Sequence, residues 1–151
     1  MTELPHVFLS VSASIDGKNV SGLASEGLPP KWFTKNPETT FEQDLPEMLR
    51  VIEQAVSFGR EVEEGSLFAW WREVYGRQEA WARESGVPPL LAHLGTSLVE
   101  RAMIDAGCRA KGLGFAEAVK SNAFGIDLAE VHSELAGSEP VSYTHLRAHE
   151  T

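Results

Sequence analysis

One stretch limits the possible folds more than any other: Pro89 to Gly112, PLLAHLGTSLVERAMIDAGCRAKG. Pro88 and Pro89 suit the first turn of a helix and no later position, and Gly112 takes the positive φ that ends one. Between them Leu91, Leu94, Leu98 and Ala102 follow helical spacing, with Val99, Met103 and Ala106 widening the stripe. Ala92, Gly95, Ala102, Ala106, Gly107 and Ala110 keep the rod thin, so neighbouring elements can approach closely. The spacing predicts a central packing helix on which the other elements must converge.

The elements before it are of two kinds. Val7, Leu9, Val11, Ala13 and Ile15 alternate with Phe8, Ser10, Ser12 and Ser14, the period of a half-buried strand. Asp16-Gly17 is a hairpin turn, and a second strand returns from Asn19 to about Glu26. Two strands alone are marginal, so a third strand or a helix layer must support them. After the loop Gly27 to Pro37, a helix begins at Thr40 or Asp44, since Thr40-x-x-Gln43 and Asp44-x-x-Glu47 both read as capping boxes. Pro46 fits the first turn of the later start. Phe41, Leu45, Met48, Ile52 and Val56 would form its apolar face. Gly59 to Gly65 reads as a polar connection.

Ser66 then caps a helix from Leu67 to about Ser85, which Gly86 ends. Its Trp70, Trp71 and Trp81 fall at helical spacing, so core packing explains them better than a stacking site. On the central helix, Arg101–Asp105 and Asp105–Arg109 are spaced for i, i+4 ion pairs worth tenths of a kcal/mol each. Phe115 to Ser121 makes a short helix, Asn122 to Gly125 breaks it, and Asp127 caps a last turn. The fold expected is α+β: an antiparallel hairpin, or a truncated three-stranded meander, packed on three main helices with short helices towards the C-terminal end.

Charge and chemistry exclude more than they assign. A net charge of −9 over 151 residues argues against nucleic acid and anionic membranes as partners. The single cysteine, Cys108, forbids an internal disulfide and reads as a buried, inert thiol. No apolar run is long enough to span a bilayer and no signal peptide opens the chain, so a cytoplasmic location is expected. His6, His93 and His132 lack Cys or carboxylate partners at metal-ligand spacing, and no metal site is expected. Gly112-x-Gly114 lacks the strand–glycine–helix context of a phosphate loop. Glu100 and Asp105 fall on different sides of their helix, and no serine sits in a nucleophile elbow. No catalytic residue is expected.

Val141 to Thr151, VSYTHLRAHET, has no cap and no period. It resembles the read-through translation of a transposase-type sequencing adaptor. Residues 1–138 are therefore expected to form the domain and 139–151 a non-native or disordered tail. The i, i+4 spacing of His145 and His149 then has no metal-binding meaning.

Val20-Ser21-Gly22-Leu23-Ala24-Ser25-Glu26 is similar to the second-strand region of the capping domain of the enolase superfamily, in its mandelate racemase and muconate-lactonizing branch. Ser97-Leu98-Val99-Glu100-Arg101-Ala102-Met103-Ile104-Asp105-Ala106-Gly107 is similar to that family's long helix, and Phe115 to Asn122 to the short helix after it. The likeness covers about residues 1 to 135. Where the family usually has Gly-Glu-Ala, this chain reads Ala24-Ser25-Glu26, so no family role is given to Glu26.

The resemblance implies a capping domain that shapes specificity and excludes water over a following β/α barrel. That barrel would hold Mg2+ and a general base for proton abstraction next to a carboxylate, in a lyase, racemase or cycloisomerase. A barrel needs about 200 residues or more, so the chain is expected to be a fragment without catalytic competence or a cofactor of its own. Its partners would be the missing barrel and a small carboxylate substrate, in a parent enzyme that can be homo-oligomeric. Family capping-domain loops reach over the barrel mouth, which marks Lys31, Trp32, Phe33 and Lys35 as a specificity loop. The plainer reading of that loop is that Trp32 and Phe33 clamp it to the hairpin. The alternative for the whole chain is a self-contained helical interaction module without activity.

Overall fold

Asp16 and Gly17 carry φ values of 51° and 74°, the pair of positive angles a type I′ turn requires, and they set Ile15 opposite Lys18. From that turn β1 (His6–Ile15) and β2 (Lys18–Gly27) pair antiparallel along their whole length, ending with His6 opposite Gly27. The protein is described by a computed structural model covering residues 4–63 and 65–138. The tail from residue 139, with its proposed adaptor likeness and its two histidines, lies outside the described residues.

The hairpin packs against α4 (Pro89–Lys111), which packs in turn against two other long helices, α2 (Phe41–Glu61) and α3 (Leu67–Ser85). Short pieces complete the order: α1 (Pro30–Phe33), α5 (Phe115–Lys120) and two 3-10 turns, Leu128–Glu130 and Ser133–Leu135. The fold is α+β, a two-stranded antiparallel hairpin packed against helices. As the spacing predicts, α4 is the hub: it touches both strands and both other long helices. Leu91, Leu98, Ala102 and Ala106 are fully buried along it.

Two glycines explain how the layers close. A Cβ on Gly22 of β2 would overlap the Ala102 carbonyl oxygen and the Ala106 amide of α4. A Cβ on Gly95 of α4 would overlap the Val51 carbonyl of α2. Backbone therefore meets backbone at two levels along one face of α4. Gln78 of α3, fully buried, fastens the same junction: its Nε2 donates to Val51 O at 2.9 Å and to Ala92 O at 3.0 Å. One side chain thus bonds all three long helices.

The local stop signals hold. Ser66 Oγ accepts from Ala69 N at 3.0 Å, and Gly86 and Gly112 end α3 and α4 in the left-handed region. Asp127 Oδ1 accepts from Ala129 N at 2.9 Å at the start of the first 3-10 turn.

Elsewhere tertiary contacts override the spacing. α2 starts after Thr40, whose N–H donates to Gln43 Oε1 at 2.8 Å, so the Asp44 start is not used and Pro46 lies inside the helix. The helix turns Asp44, Met48, Val51, Ile52 and Ala55 inward and leaves Phe41, Leu45 and Val56 half-buried. It also runs on through Gly59, which was expected to open a connection. The Trp70 ring packs on that glycine, and the indole N–H donates to Gly59 O at 3.1 Å.

Of the three tryptophans only Trp70 is buried; Trp71 and Trp81 are half-buried, and the Arg50 guanidinium stacks 5.1 Å from the Trp81 ring. Arg101 does not pair with Asp105. It reaches across to β2, donating to Ser25 O at 3.1 Å and Glu26 Oε2 at 2.9 Å, while Asp105 pairs with Arg109 at 2.9 Å. Cys108 is half-buried rather than buried, and what burial it has pushes its thiol upward, with Asp105 adding to the shift.

Candidate functional site

The loop between the hairpin and α2 is built from its prolines inward. Leu28 is buried and its N–H donates to Pro5 O at 2.9 Å, which ties the loop's start to the chain entering β1. Pro29 and Pro30 pre-set the φ of a single helical turn, α1, with Pro30 at its first position. Thr34 ends it, its N–H and Oγ1 both donating to Pro30 O, at 2.8 and 3.0 Å.

That turn sends its side chains in different directions. Lys31 points to the N-terminal end of α2, where its Nζ donates to Asn36 O at 2.8 Å, Thr39 O at 2.6 Å, Thr39 Oγ1 at 2.8 Å and Asp44 Oδ2 at 2.7 Å. Its ammonium organises the loop 31–40, and it also accounts for a carboxylate on the inner face of α2. Asp44 is 5% exposed, and the hydrogen bond from Lys31 holds its carboxyl below the usual aspartate range, helped by Thr39. Phe33 is half-buried and packs on the main core. Trp32 lies between them and is 68% exposed. Lys35 follows, exposed and with no hydrogen-bond or ion-pair partner among the described residues.

The four sequence-marked residues therefore divide into two pairs. Lys31 and Phe33 hold the turn; Trp32 and Lys35 are presented by it. The expectation that Trp32 clamps the loop is not met, since Phe33 takes that role. What the turn presents is one indole face and one ammonium, groups that can meet an apolar or aromatic body bearing a carboxylate. No nucleophile, acid or base accompanies them.

A second constellation escaped sequence reasoning. Along the α3–α4 seam the rings of Phe68, Trp71, Tyr75 and His93 follow one another at centroid distances of 5.5, 5.4 and 4.1 Å, the last pair stacked within 8° of parallel. His93 Nδ1 lies 3.3 Å from the buried Thr96 Oγ1. Burial depresses the His93 pKa, with Glu79 pulling the other way, and burial raises that of Glu100 one turn beyond Thr96. The Trp71 indole N–H lies near Glu100 but completes no hydrogen bond. The spacing of His93, Thr96 and Glu100 at i, i+3 and i+7 on one helix was the available signal. These groups stiffen a helix seam and converge on no reacting centre.

A groove of about 1250 Å3 runs beneath the outer edge of β1, between Ser10–Asp16 and the facing ends of α2 and α3. Its walls mix apolar and polar groups: Val56, Val62, Trp70 and Phe124 line it together with Ser10, Ser12, Arg60 and Glu63, and Lys111 pairs with Asp16 at 2.9 Å. Among the described residues no group of three or more His, Cys, Asp or Glu side chains is placed to hold a metal ion. No helix of the described residues is long and apolar enough to cross a membrane. Compared with protein-family models, with curated proteins and with solved structures, the chain matches none.

Proposed function

We propose that this chain is the specificity-shaping capping domain of a metal-dependent enolase-superfamily enzyme, in which Trp32 and Lys35 face a small carboxylate substrate. The observation that carries the reading is the exposed indole of Trp32 on a turn whose flanking side chains are both engaged by the domain, Lys31 through its hydrogen bonds and Phe33 through packing. At 68% exposure this large apolar ring at the centre of a braced turn leaves most of its surface in water. It gains its contact when a second body closes on it. The resemblance of Val20–Glu26 and Ser97–Gly107 to that family supplies the identity of the second body, a β/α barrel holding Mg2+ and the general base. On this reading the complete enzyme is cytoplasmic, can be homo-oligomeric, and abstracts a proton next to the substrate carboxylate.

The deciding experiment is to sequence the encoding locus beyond the codon for Pro140. The expected result is an open frame carrying Lys-x-Lys and spaced Asp and Glu ligands on barrel strands. In that enzyme Trp32→Ala and Lys35→Ala should each lower kcat/KM by about tenfold, the loss of about 1.4 kcal/mol of transition-state binding, without moving Tm. A stop codon soon after Pro140 would exclude the capping role.

It would instead favour a second reading, a self-contained interaction module. That reading has its own observation: Phe8 and Leu23, 68% and 54% exposed, are diagonal neighbours on the outer face of the hairpin. Together they make a small apolar patch that a partner protein would cover.

A further inference from the structure

The two edges of the hairpin are not equivalent. On β2 the Leu23 N–H points away from β1 and donates to Asp105 Oδ2 of α4 at 2.9 Å, and Ser25 O accepts from Arg101 at 3.1 Å. The register pairs Leu23 with Ser10 and Ser25 with Phe8. In an antiparallel ladder both members of such a pair turn their backbone groups outward. Phe8, Ser10, Ser12 and Ser14 therefore aim their N–H and C=O groups off the free edge of β1. Among the described residues nothing accepts or donates there.

Natural sheets guard such an edge with lysine, proline, a bulge or an inward charge. From Val7 to Ile15 this one has none: the strand is unbroken, uncharged and apolar on its inner face. The half-buried Val11, Ala13 and Ile15 also border the groove beneath the edge.

We infer that the free edge of β1 is an interface for a second copy of this chain, the two β1 strands pairing antiparallel about Val11. The strand's own sequence selects that register. With Val11 opposite its symmetry mate, the inward pairs are Val7 with Ile15 and Leu9 with Ala13, all apolar. Ser10 meets Ser12 and Phe8 meets Ser14 on the outer face, as hydrogen-bonded pairs that each exchange two ladder bonds. At both ends His6 comes opposite Asp16, an imidazole that can donate a hydrogen bond facing a carboxylate. Lys111, 2.9 Å from Asp16, adds positive charge beside each acidic turn. Because the groove flanks only the Ser10–Asp16 half of the edge, the two-fold sets the two grooves at opposite ends of the seam. Each receives the Val7–Val11 half of the other copy.

Sedimentation of the full 151-residue chain over a wide concentration range should show a monomer–dimer equilibrium. Ser12→Pro removes an outward N–H that the hairpin itself does not use, and should weaken the dimer by about tenfold or more. Ser10→Glu with Ser12→Glu sets like charges face to face on solvent-facing positions and should do the same if the proline variant folds poorly. In a Cys108→Ala background, Val11→Cys should cross-link two chains under mild oxidation. A chain that stays monomeric throughout overturns the inference, including the case in which Ser10, Ser12 and Ser14 amides resist exchange because another segment of the same chain covers them. A dimer indifferent to both edge variants overturns it equally, since its interface then lies elsewhere.

Discussion

α2 is approached by two neighbours in opposite ways. At Val51 it meets α4 with nothing between the backbones, because Gly95 has no side chain to interpose. One turn into the same helix, at Asp44, the approach is made by the long side chain of Lys31, which spans the gap with a charge that donates to oxygens of Asn36, Thr39 and Asp44. The first contact depends on atoms that are absent and tolerates no added volume. The second depends on one ammonium and tolerates changes around it. The domain is thus rigid where helices cross and adjustable where the loop joins them.

The sharpest way to break this contrast is to add one carbon at the crossing. Gly95→Ala and Gly22→Ala should each cost about 3 kcal/mol, the upper range for overpacking, because the obstacle in both cases is backbone that cannot rotate aside. Urea unfolding measures this, with Gly76→Ala as the control. Nothing lies within 4 Å of that added methyl, and a gain of about 0.5–1 kcal/mol is expected from helix propensity. If Gly95→Ala is neutral, the α2–α4 crossing is looser than described.

Gln78→Leu comes next. It keeps the volume but releases the amide from Val51 O and Ala92 O, and a loss of about 1–2 kcal/mol is expected from the same titration. No change would mean that packing alone fixes the junction.

Lys31→Met tests the adjustable contact, and its signature is pH dependence. The Lys31 hydrogen bond lowers the folded-state pKa of Asp44, so the associated stability is present above the unfolded pKa and is lost as pH falls through the folded one. The Tm gap between the parent chain and Lys31→Met should be widest near neutral pH and should close below the ordinary aspartate range, about pH 4. A gap that stays constant with pH would assign the lysine's effect to its methylene stem instead.

The smallest effect is expected at Trp32. Its indole is exposed, so Trp32→Ala should leave Tm unchanged within error, whereas Phe33→Ala should lower it. A clear drop for Trp32→Ala would return that residue to the scaffold and remove the support for its presentation to a substrate.

These contrasts follow how far a signal had to travel along the chain. The hairpin turn at Asp16-Gly17, the Ser66 cap and the terminal glycines of α3 and α4 were legible because their partners lie within a few residues. The inner face of α2 was not, because Asp44 is made compatible with burial by a lysine thirteen positions earlier, and apolar spacing alone favours Leu45 and Val56. Arg101 was misassigned for the same reason: helical spacing supplies Asp105, but β2 supplies Glu26 and a carbonyl. At the candidate site the composition of the loop could be read in full. Which aromatic anchors it depended on the direction of a single turn, set by Pro29, Pro30 and the reach of Lys31.

Asp105 and Arg101 carry one more consequence. By occupying the Leu23 N–H and the Ser25 carbonyl they make α4 a fixed cover for one side of the sheet. Strand addition to this hairpin can therefore proceed in one direction only. Among the described residues each chain then has one fully open edge for it, and once that edge is filled the remaining one is obstructed at Leu23 and Ser25 by side chains of α4. Growth terminates at two, which separates a finite pair from the open-ended stacking of a fibril.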